Sequence, residues 1–231
     1  ALSPEEIKIG ELISSLIENG STLQTGIGNI PDAALHSLVH HRNLGLHSEM
    51  YSDGAMKLIQ AGVITNSEKK IYPGKSVGSF VMGTHELYKF INNNPNISHL
   101  DISTVNNPNL IAKNPKVVSI NSAVEVDFTG QVCADSIGTR IISGSGGQMD
   151  FMLGSSWSPG GKSIVAFLSQ SKGRSKIVPQ LSPGGGVVTP RAYVHYVVTE
   201  FGIADLRGKS LEDRKKALIK IMHPENKEKI I

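Results

Sequence analysis

Residues 21–31 constrain the fold more than any other stretch of this chain. Ser21 through Ile27 reads as a strand running into the glycine turn Gly26-Ile27-Gly28-Asn29-Ile30-Pro31. Pro31 and Asp32 then open a helix carrying Ala34, Leu35, Leu38 and Val39. Strand, glycine turn and helix start in that order require a layered fold, because the helix must pack back over the sheet its own strand joins. The same order makes an anion-binding corner, where unpaired backbone donors and the positive end of a helix point one way.

The alternation continues along the chain. A short strand is predicted at residues 44–47, a helix at 53–61, a strand at 77–82 and a helix at 85–92. Before the glycine turn lies another helix, with Ser3 as N-cap, Pro4 in the first turn, Glu6 three residues after the cap, and Ile9, Leu12, Ile13, Leu16 and Ile17 on one face. This rhythm predicts an α/β fold: an open, mainly parallel twisted sheet with helices on both faces. The middle differs, since residues 116–127 and 131–135 flank Thr129-Gly130 and predict a central β-hairpin. Residues 138–147 are too rich in glycine for regular structure. Strands recur at 163–169, 176–180 and 194–199, and a last helix starts at Ser210 with Asp213 as capping partner and Leu211, Leu218, Ile219 and Met222 along it. No internal repeat or linker divides residues 1–231, which read as one domain.

The chemistry centres on Glu49, in Leu44-Gly-Leu-His-Ser-Glu-Met-Tyr-Ser-Asp-Gly54. A lone carboxylate past an apolar run, near a loop offering backbone N–H groups, suits attack on a carbonyl carbon with the oxyanion held by those donors. A glutamate at a strand–helix junction also serves simply as a helix-start charge, and the residues alone leave both readings open. The glycines of residues 26–28 likewise read either as a tight turn or as an oxyanion cradle. A second glycine loop, Gly144-Ser-Gly-Gly147, leads into Gln-Met-Asp-Phe151 and presents further backbone donors.

Other chemistries fit poorly. Pro31 stands where a dinucleotide fingerprint has its last glycine, and Gly-Lys-Ser/Thr does not follow the second loop in Walker register. No GxSxG elbow is present. His36 and His40 share a helix face, but no glutamate follows His36 to make HExxH, so no metal is expected. A net charge of +3 with 5% aromatic residues is a poor nucleic-acid platform, and the lysines of residues 209–229 alternate with acids as on a solvated helix. One cysteine, Cys133, rules out an internal disulfide and points to a reducing compartment. No apolar run approaches the roughly 18 residues needed to span a bilayer, and no signal-peptide pattern opens the chain. The chain begins without methionine and enters a helix at once, as an excised fragment would.

These motifs together carry a resemblance. Gly26-Ile-Gly-Asn-Ile-Pro-Asp32, His47-Ser-Glu-Met50, Ser52-Asp-Gly54, Ser143-Gly-Ser-Gly-Gly-Gln-Met-Asp-Phe151, Lys176-Ile-Val-Pro179 and Val197-Val-Thr-Glu-Phe-Gly-Ile-Ala-Asp-Leu-Arg-Gly208 resemble the C-terminal domain of the acetyl-CoA hydrolase/transferase family, near its 4-hydroxybutyrate CoA-transferases. The resemblance implies that Glu49 is the nucleophile and forms a glutamyl-CoA thioester. It implies CoA contacts at Gly26, Ile27, Gly28, Asn29 and Ile30, with the Ile27 N–H on the oxyanion, and further contacts at Asn121, Gly144 and Lys162. Coenzyme A is then a substrate, with no tightly bound cofactor, and the partners are acyl-CoA and short-chain carboxylates such as acetate or 4-hydroxybutyrate. Hydrolysis of acetyl-CoA through the same glutamate, or CoA binding without catalysis, are the alternatives. Family members are about twice this length, so residues 1–231 correspond to the C-terminal catalytic domain, with the acid pocket and part of the CoA cleft expected between the halves. A homodimer is the expected assembly of the full-length enzyme, and both cytoplasm and mitochondrial matrix are compatible.

Overall fold

A computed structural model describes residues 2–229. The first helix, α1 (Pro4–Leu16), opens with Ser3 Oγ accepting from the Glu6 N–H while the Glu6 carboxylate accepts from the Ser3 N–H. Ile9 and Ile13 on its inner face are fully buried. Burial of side chains this size contributes about 1.5–3 kcal/mol each. Strand β1 (Thr22–Thr25) follows, then helix α2 (Asn29–His36), strand β2 (Gly45–Leu46) and helix α3 (Asp53–Gln60). Later come β3 (Val117–Asn121), helix α4 (Gln148–Trp157), β4 (Lys162–Ala166), β5 (Tyr196–Thr199), β6 (Gly202–Asp205) and helix α5 (Leu211–Lys220).

The strands form one six-stranded sheet in the order β6-β5-β4-β3-β1-β2. All neighbours pair in parallel except β5 and β6, which are antiparallel. Every residue of β3 is buried, the pattern of a parallel strand covered on both faces. Val118, Ile120, Ile164, Ala166 and Val198 pack with Ile9, Ile13 and residues of α2 and α3 on one side. Val165, Val197 and Ala204 face Met152 of α4 and Leu218 of α5 on the other. The predicted open α/β sheet with helices on both faces is the architecture observed.

The local departures have physical reasons. The long arm expected at residues 116–127 is divided: Val117–Asn121 is the buried third strand of the main sheet, and only Glu125–Asp127 pairs antiparallel with Val132–Cys133. Ile177–Val178 lies parallel to Glu125–Asp127 and completes a three-stranded side sheet. The single strand expected at 77–82 is also split, into Ser76–Gly78 and Phe80–Val81. It breaks because the N–H groups of Ser79 and Phe80 both bond the carbonyl of Glu49. Leu211, expected on the apolar face of the last helix, is 54% exposed, whereas Leu218 and Met222 are buried.

Candidate functional site

In a parallel sheet every strand delivers its last residue to the same edge, and ligands bind in the crevice beyond those carboxyl ends. Strands β1 and β3 are neighbours in register Thr25↔Ile120, so Gly26 and Asn121 emerge side by side. The Gly26 N–H donates to the Ile120 carbonyl at 2.8 Å. Gln24 and Asn121 exchange two amide hydrogen bonds of 3.2 and 2.9 Å beneath the glycine turn, both side chains buried. Gly28 then adopts φ +108°, a conformation that side chains rarely reach, and caps α2 without any side-chain acceptor. The first N–H groups of α2 are therefore left to a ligand or to water. Ile27 is 60% exposed at the tip of the turn, while Ile30 is buried in the core. Asn29 Nδ2 donates to Glu6 Oε1 at 2.9 Å, tying the loop to α1.

Glu49 leaves the same edge from β2. His47 N–H bonds the Leu23 carbonyl at 3.0 Å and Ser48 N–H the Val77 carbonyl at 3.1 Å, which extends β2 as far as the glutamate. Ser48 Oγ sits within 3.3 Å of the Thr25 N–H, 3.2 Å of the Thr25 carbonyl and 2.6 Å of the Met50 carbonyl. One buried hydroxyl thus joins the residue before Glu49 to the residue before Gly26. The Glu49 carboxylate is half-buried, and its Oε2 accepts from Asn106 Nδ2 at 3.1 Å. Gly147 presses against the same pair: a Cβ at that position would overlap both Glu49 Oε2 and Asn106 Nδ2. Gly147 is also the N-cap of α4 and offers no side-chain cap, so the positive end of α4 faces the carboxylate.

Two titratable neighbours complete the site. The Asp150 carboxyl, in the first turn of α4, is pushed up by burial and further by the Glu49 charge, against a hydrogen bond from Asn106 that lowers it. Burial drives His47 down to about 4, so its ring is neutral near pH 7. Its Nε2 lies 2.8 Å from the Val105 carbonyl and its ring meets Phe151 edge-on at 6.2 Å. A neutral imidazole at that carbonyl must donate, which makes His47 a strut between β2 and the Asn106 segment and no base. Farther along the edge, Glu200 after β5 accepts from Ser169 N–H and Oγ at 2.9 and 2.6 Å, near the half-buried Lys176 whose ammonium is lowered to about 8 by burial.

Of the residues marked by the sequence, Glu49, Gly26, Ile27, Gly28, Asn29, Ile30 and Asn121 converge on this edge. Gly144 lies in the exposed stretch 139–146 that leads into Gly147. Lys162 is not brought to the site. It opens β4 opposite Val118, at the amino edge of the sheet, and its Nζ binds Glu18 at 2.8 Å. Lys116 binds the same glutamate at 2.9 Å, and the two ammonium groups hold its carboxyl down at about 2. Sequence reading missed Gln24 and Asn106, which lie in no motif, and gave no role to Ser48 within residues 47–50 or to Gly147 and Asp150 within residues 143–151. Among the described residues no cluster of three His, Cys, Asp or Glu could hold a metal ion, and no helix is long and apolar enough to cross a membrane.

Comparison with known proteins gives concordant matches. The family model for the acetyl-CoA hydrolase/transferase C-terminal domain matches residues 83–231. The succinyl-CoA:acetate/propanoyl-CoA:succinate CoA transferase of Fasciola hepatica is 55% identical over 99% of this chain and 48% of its own length. The 4-hydroxybutyrate coenzyme A transferase of Clostridium kluyveri is 53% identical over 100% of this chain and 54% of its own length. The crystal structure of RipA from Yersinia pestis superposes with a TM-score of 0.95 at 37% identity, covering 100% of this chain and 52% of that one. More distantly, the acetyl-CoA hydrolase of Candida albicans is 29% identical over 96% of this chain and 41% of its own length. The chain spans about half the length of the curated relatives it matches.

Proposed function

The chain belongs to the acetyl-CoA hydrolase/transferase family, and from that premise we propose that it transfers CoA between an acyl-CoA and a free short-chain carboxylate through Glu49. One observation carries the reading. The Glu49 carboxylate is held by Asn106 and the start of α4, and Ser48 couples its strand to the glycine turn, whose N–H groups at residues 27–30 have no protein acceptor among the described residues.

Glu49 attacks the thioester carbonyl of the acyl-CoA, the C–S bond breaks, and CoA leaves as the thiolate, giving an acyl-glutamyl anhydride. The thiolate attacks the glutamyl carbonyl, the original acid leaves as its carboxylate, and a glutamyl-CoA thioester remains. A second carboxylate reverses the two steps. Each tetrahedral centre carries an oxyanion, and the N–H groups of residues 27–30 are the donors placed to receive it, the Ile27 N–H foremost. A single such donor is worth about 10²–10³ in rate. Charge only migrates between carboxylate and thiolate, so no proton transfer is required and neutral His47 stays a strut. The Gln24–Asn121 pair supports the floor under Gly26, and the open Gly144 backbone belongs to the CoA side of the crevice. Water reaching the thioester would yield hydrolysis, so the two activities of the family differ in water exclusion rather than in the nucleophile. With Ile27 exposed at the mouth, that exclusion falls to the other half of the full-length enzyme, which this reading places over the crevice with the acid pocket between the halves.

The test is Glu49→Gln in the full-length enzyme, with acyl-CoA added and the intermediate reduced by borohydride or cleaved by hydroxylamine before mass spectrometry. The wild type should carry the modification at Glu49, and Glu49→Gln should lose about 10⁴-fold or more in transfer. Transfer that survives in the variant, or a trapped group elsewhere, would replace Glu49 as the nucleophile.

A further inference from the structure

The amino edge of the sheet, opposite Glu49, carries chemistry of its own. Strand β6 runs against the other five, so its last residues return to that edge. Its register with β5 sets Asp205 against Tyr196, and the Leu206 N–H donates to the His195 carbonyl at 2.8 Å. Ser163, near the start of β4, fixes the segment before β5: its Oγ donates to the Tyr193 carbonyl at 2.5 Å and accepts from the His195 N–H at 3.0 Å. Helix α5 adds Arg214 from its first turn, where the Arg214 N–H donates to the Ser210 carbonyl. Tyr193, His195, Arg207 and Arg214 line one cavity of about 250 Å³, and no acidic side chain is among its lining residues.

The two guanidinium groups are short of acceptors. Arg214 Nη1 donates to the carbonyls of Thr129 and Arg191 at 3.1 and 2.8 Å, while Nη2 makes no hydrogen bond among the described residues. A cation in the first turn of a helix works against the dipole, and the acids of that turn are engaged elsewhere, Glu212 with Lys216 and Asp213 with Ser210. The exposed Arg207 side chain makes no hydrogen bond or salt bridge among the described residues. The imidazole has the opposite need. His195 Nε2 lies 3.4 Å from Asp205 Oδ1, which favours the ring proton on that nitrogen, and Nδ1 is buried without a partner. Burial and then the Arg207 charge, against Asp205, bring the ring down to about 4, so near pH 7 Nδ1 is an acceptor without a donor.

We propose that this cavity is a binding site for inorganic phosphate, held by Arg207 and Arg214 with a phosphate hydroxyl donating to His195. Phosphate offers the two guanidinium groups anionic oxygens in the geometry that arginine matches. At pH 7 it also keeps at least one O–H, the donor that the imidazole lacks. Sulfate and carboxylates bring the oxygens without the hydroxyl, and a phosphate monoester, whose second pKa is about 6, has mostly lost it at pH 7. The cavity is smaller than the roughly 300–1,000 Å³ of organic-ligand pockets, which suits an ion with its bridging waters. Its place on the edge opposite Glu49 makes the inference independent of the reading of Glu49 as the nucleophile, and phosphate bound there leaves both substrates free to bind.

The experiment is isothermal titration of the full-length enzyme with inorganic phosphate, sulfate and glycerol 2-phosphate at pH 7 and equal ionic strength, in wild type, Arg207→Gln and His195→Phe, with thermal melts of each. Phosphate should saturate a single site and bind about tenfold more tightly than sulfate or the monoester, the effect of one hydrogen bond to an anion. Arg207→Gln, which removes no contact of the fold, should weaken all three anions about tenfold. His195→Phe keeps a ring stacked on Tyr196 and should bring phosphate to the level of sulfate, with sulfate itself little changed. No saturable phosphate binding in the wild type would overturn the site, as would phosphate binding that is unchanged in both variants. Sulfate or glycerol 2-phosphate bound as tightly as phosphate would overturn the role of the hydroxyl and, with it, inorganic phosphate as the ligand. Phosphate that raises KM for the acyl-CoA in the wild type and not in Arg207→Gln would make the cavity part of the substrate site and overturn it as a separate one.

Discussion

Gly147→Ala separates the geometry of the site from the stability of the fold. Gly147 has φ −88° and ψ 7°, which an alanine adopts, so the backbone does not oppose the change. The new methyl would overlap Glu49 Oε2 and Asn106 Nδ2 and lie 3.2 Å from Asn106 Cγ. Ordinary contact needs about 3.5 Å or more, so the carboxylate and the amide must retreat by about 1 Å. Both atoms are ends of rotatable side chains, and yielding costs the fold little. Alanine is a poorer N-cap than glycine by less than about 1 kcal/mol, and the stiffer unfolded chain returns 0.4–1 kcal/mol of that. The melting temperature should therefore stay within about 2–4 °C of wild type. A reacting group misplaced by about 1 Å loses around 10²-fold in rate, near 2.7 kcal/mol in the barrier. Steady-state transfer by the full-length enzyme and a thermal melt of the same preparation check both numbers. A folded variant with kcat within threefold of wild type would refute the claim that Gly147 fixes the nucleophile, and a melting point lowered by more than 10 °C would show that the neighbours cannot yield.

Two more outcomes follow from the electrostatics. Lys162→Ala should leave KM for the CoA thioester within about twofold and cost less than about 1 kcal/mol, because its Glu18 partner is half-exposed. A tenfold rise in KM would return Lys162 to the binding site. His47 is held near 4 by burial, while in the unfolded chain it titrates near 6.5, so the unfolded chain takes up the proton first. Its contribution is fully present above about pH 6.5 and lost as pH falls through about 4, at most about 3 kcal/mol over that window. Urea unfolding of wild type and His47→Asn at pH 7 and pH 4.5 measures it, and a stability difference that does not shrink on acidification would contradict it.

What was legible in the chain and what was not divides along physical lines. Ile9 and Ile13 on α1 announce themselves because a helix period is a local property of a dozen residues, whereas β3, buried on both faces and so without a period, was expected as part of a hairpin arm. Glu49 and the glycine turn were legible as a carboxylate and a donor loop, though their joint use needed the resemblance to a known family. Asn106 was not legible: it meets Glu49 from 57 residues away, out of a polar stretch with no periodicity. Gln24 acts through a single amide that leaves no pattern in the sequence, and Ser48, though inside the motif of residues 47–50, acts through a single hydroxyl to which the motif assigned no role. The expectation for residues 77–82 failed because Glu49 takes two N–H groups from the middle of what looks like one strand.

Lys162 shows why position along a chain is a weak guide to position in a parallel sheet. Residues 121 and 162 belong to adjacent strands, yet Asn121 closes β3 while Lys162 opens β4, and the two stand on opposite edges. A residue's value for the site is set by which end of its strand it occupies, and every side chain that holds Glu49 or supports the glycine turn follows that rule or comes from a connection crossing that edge. By the same rule, Lys176 stands at the carboxyl edge, beside Glu200 and Ser169, which follow the ends of β5 and β4. Its ammonium lies 4.9 Å over the Phe167 ring and is lowered to about 8 by burial, whereas Lys162 is bound to Glu18 at the opposite edge.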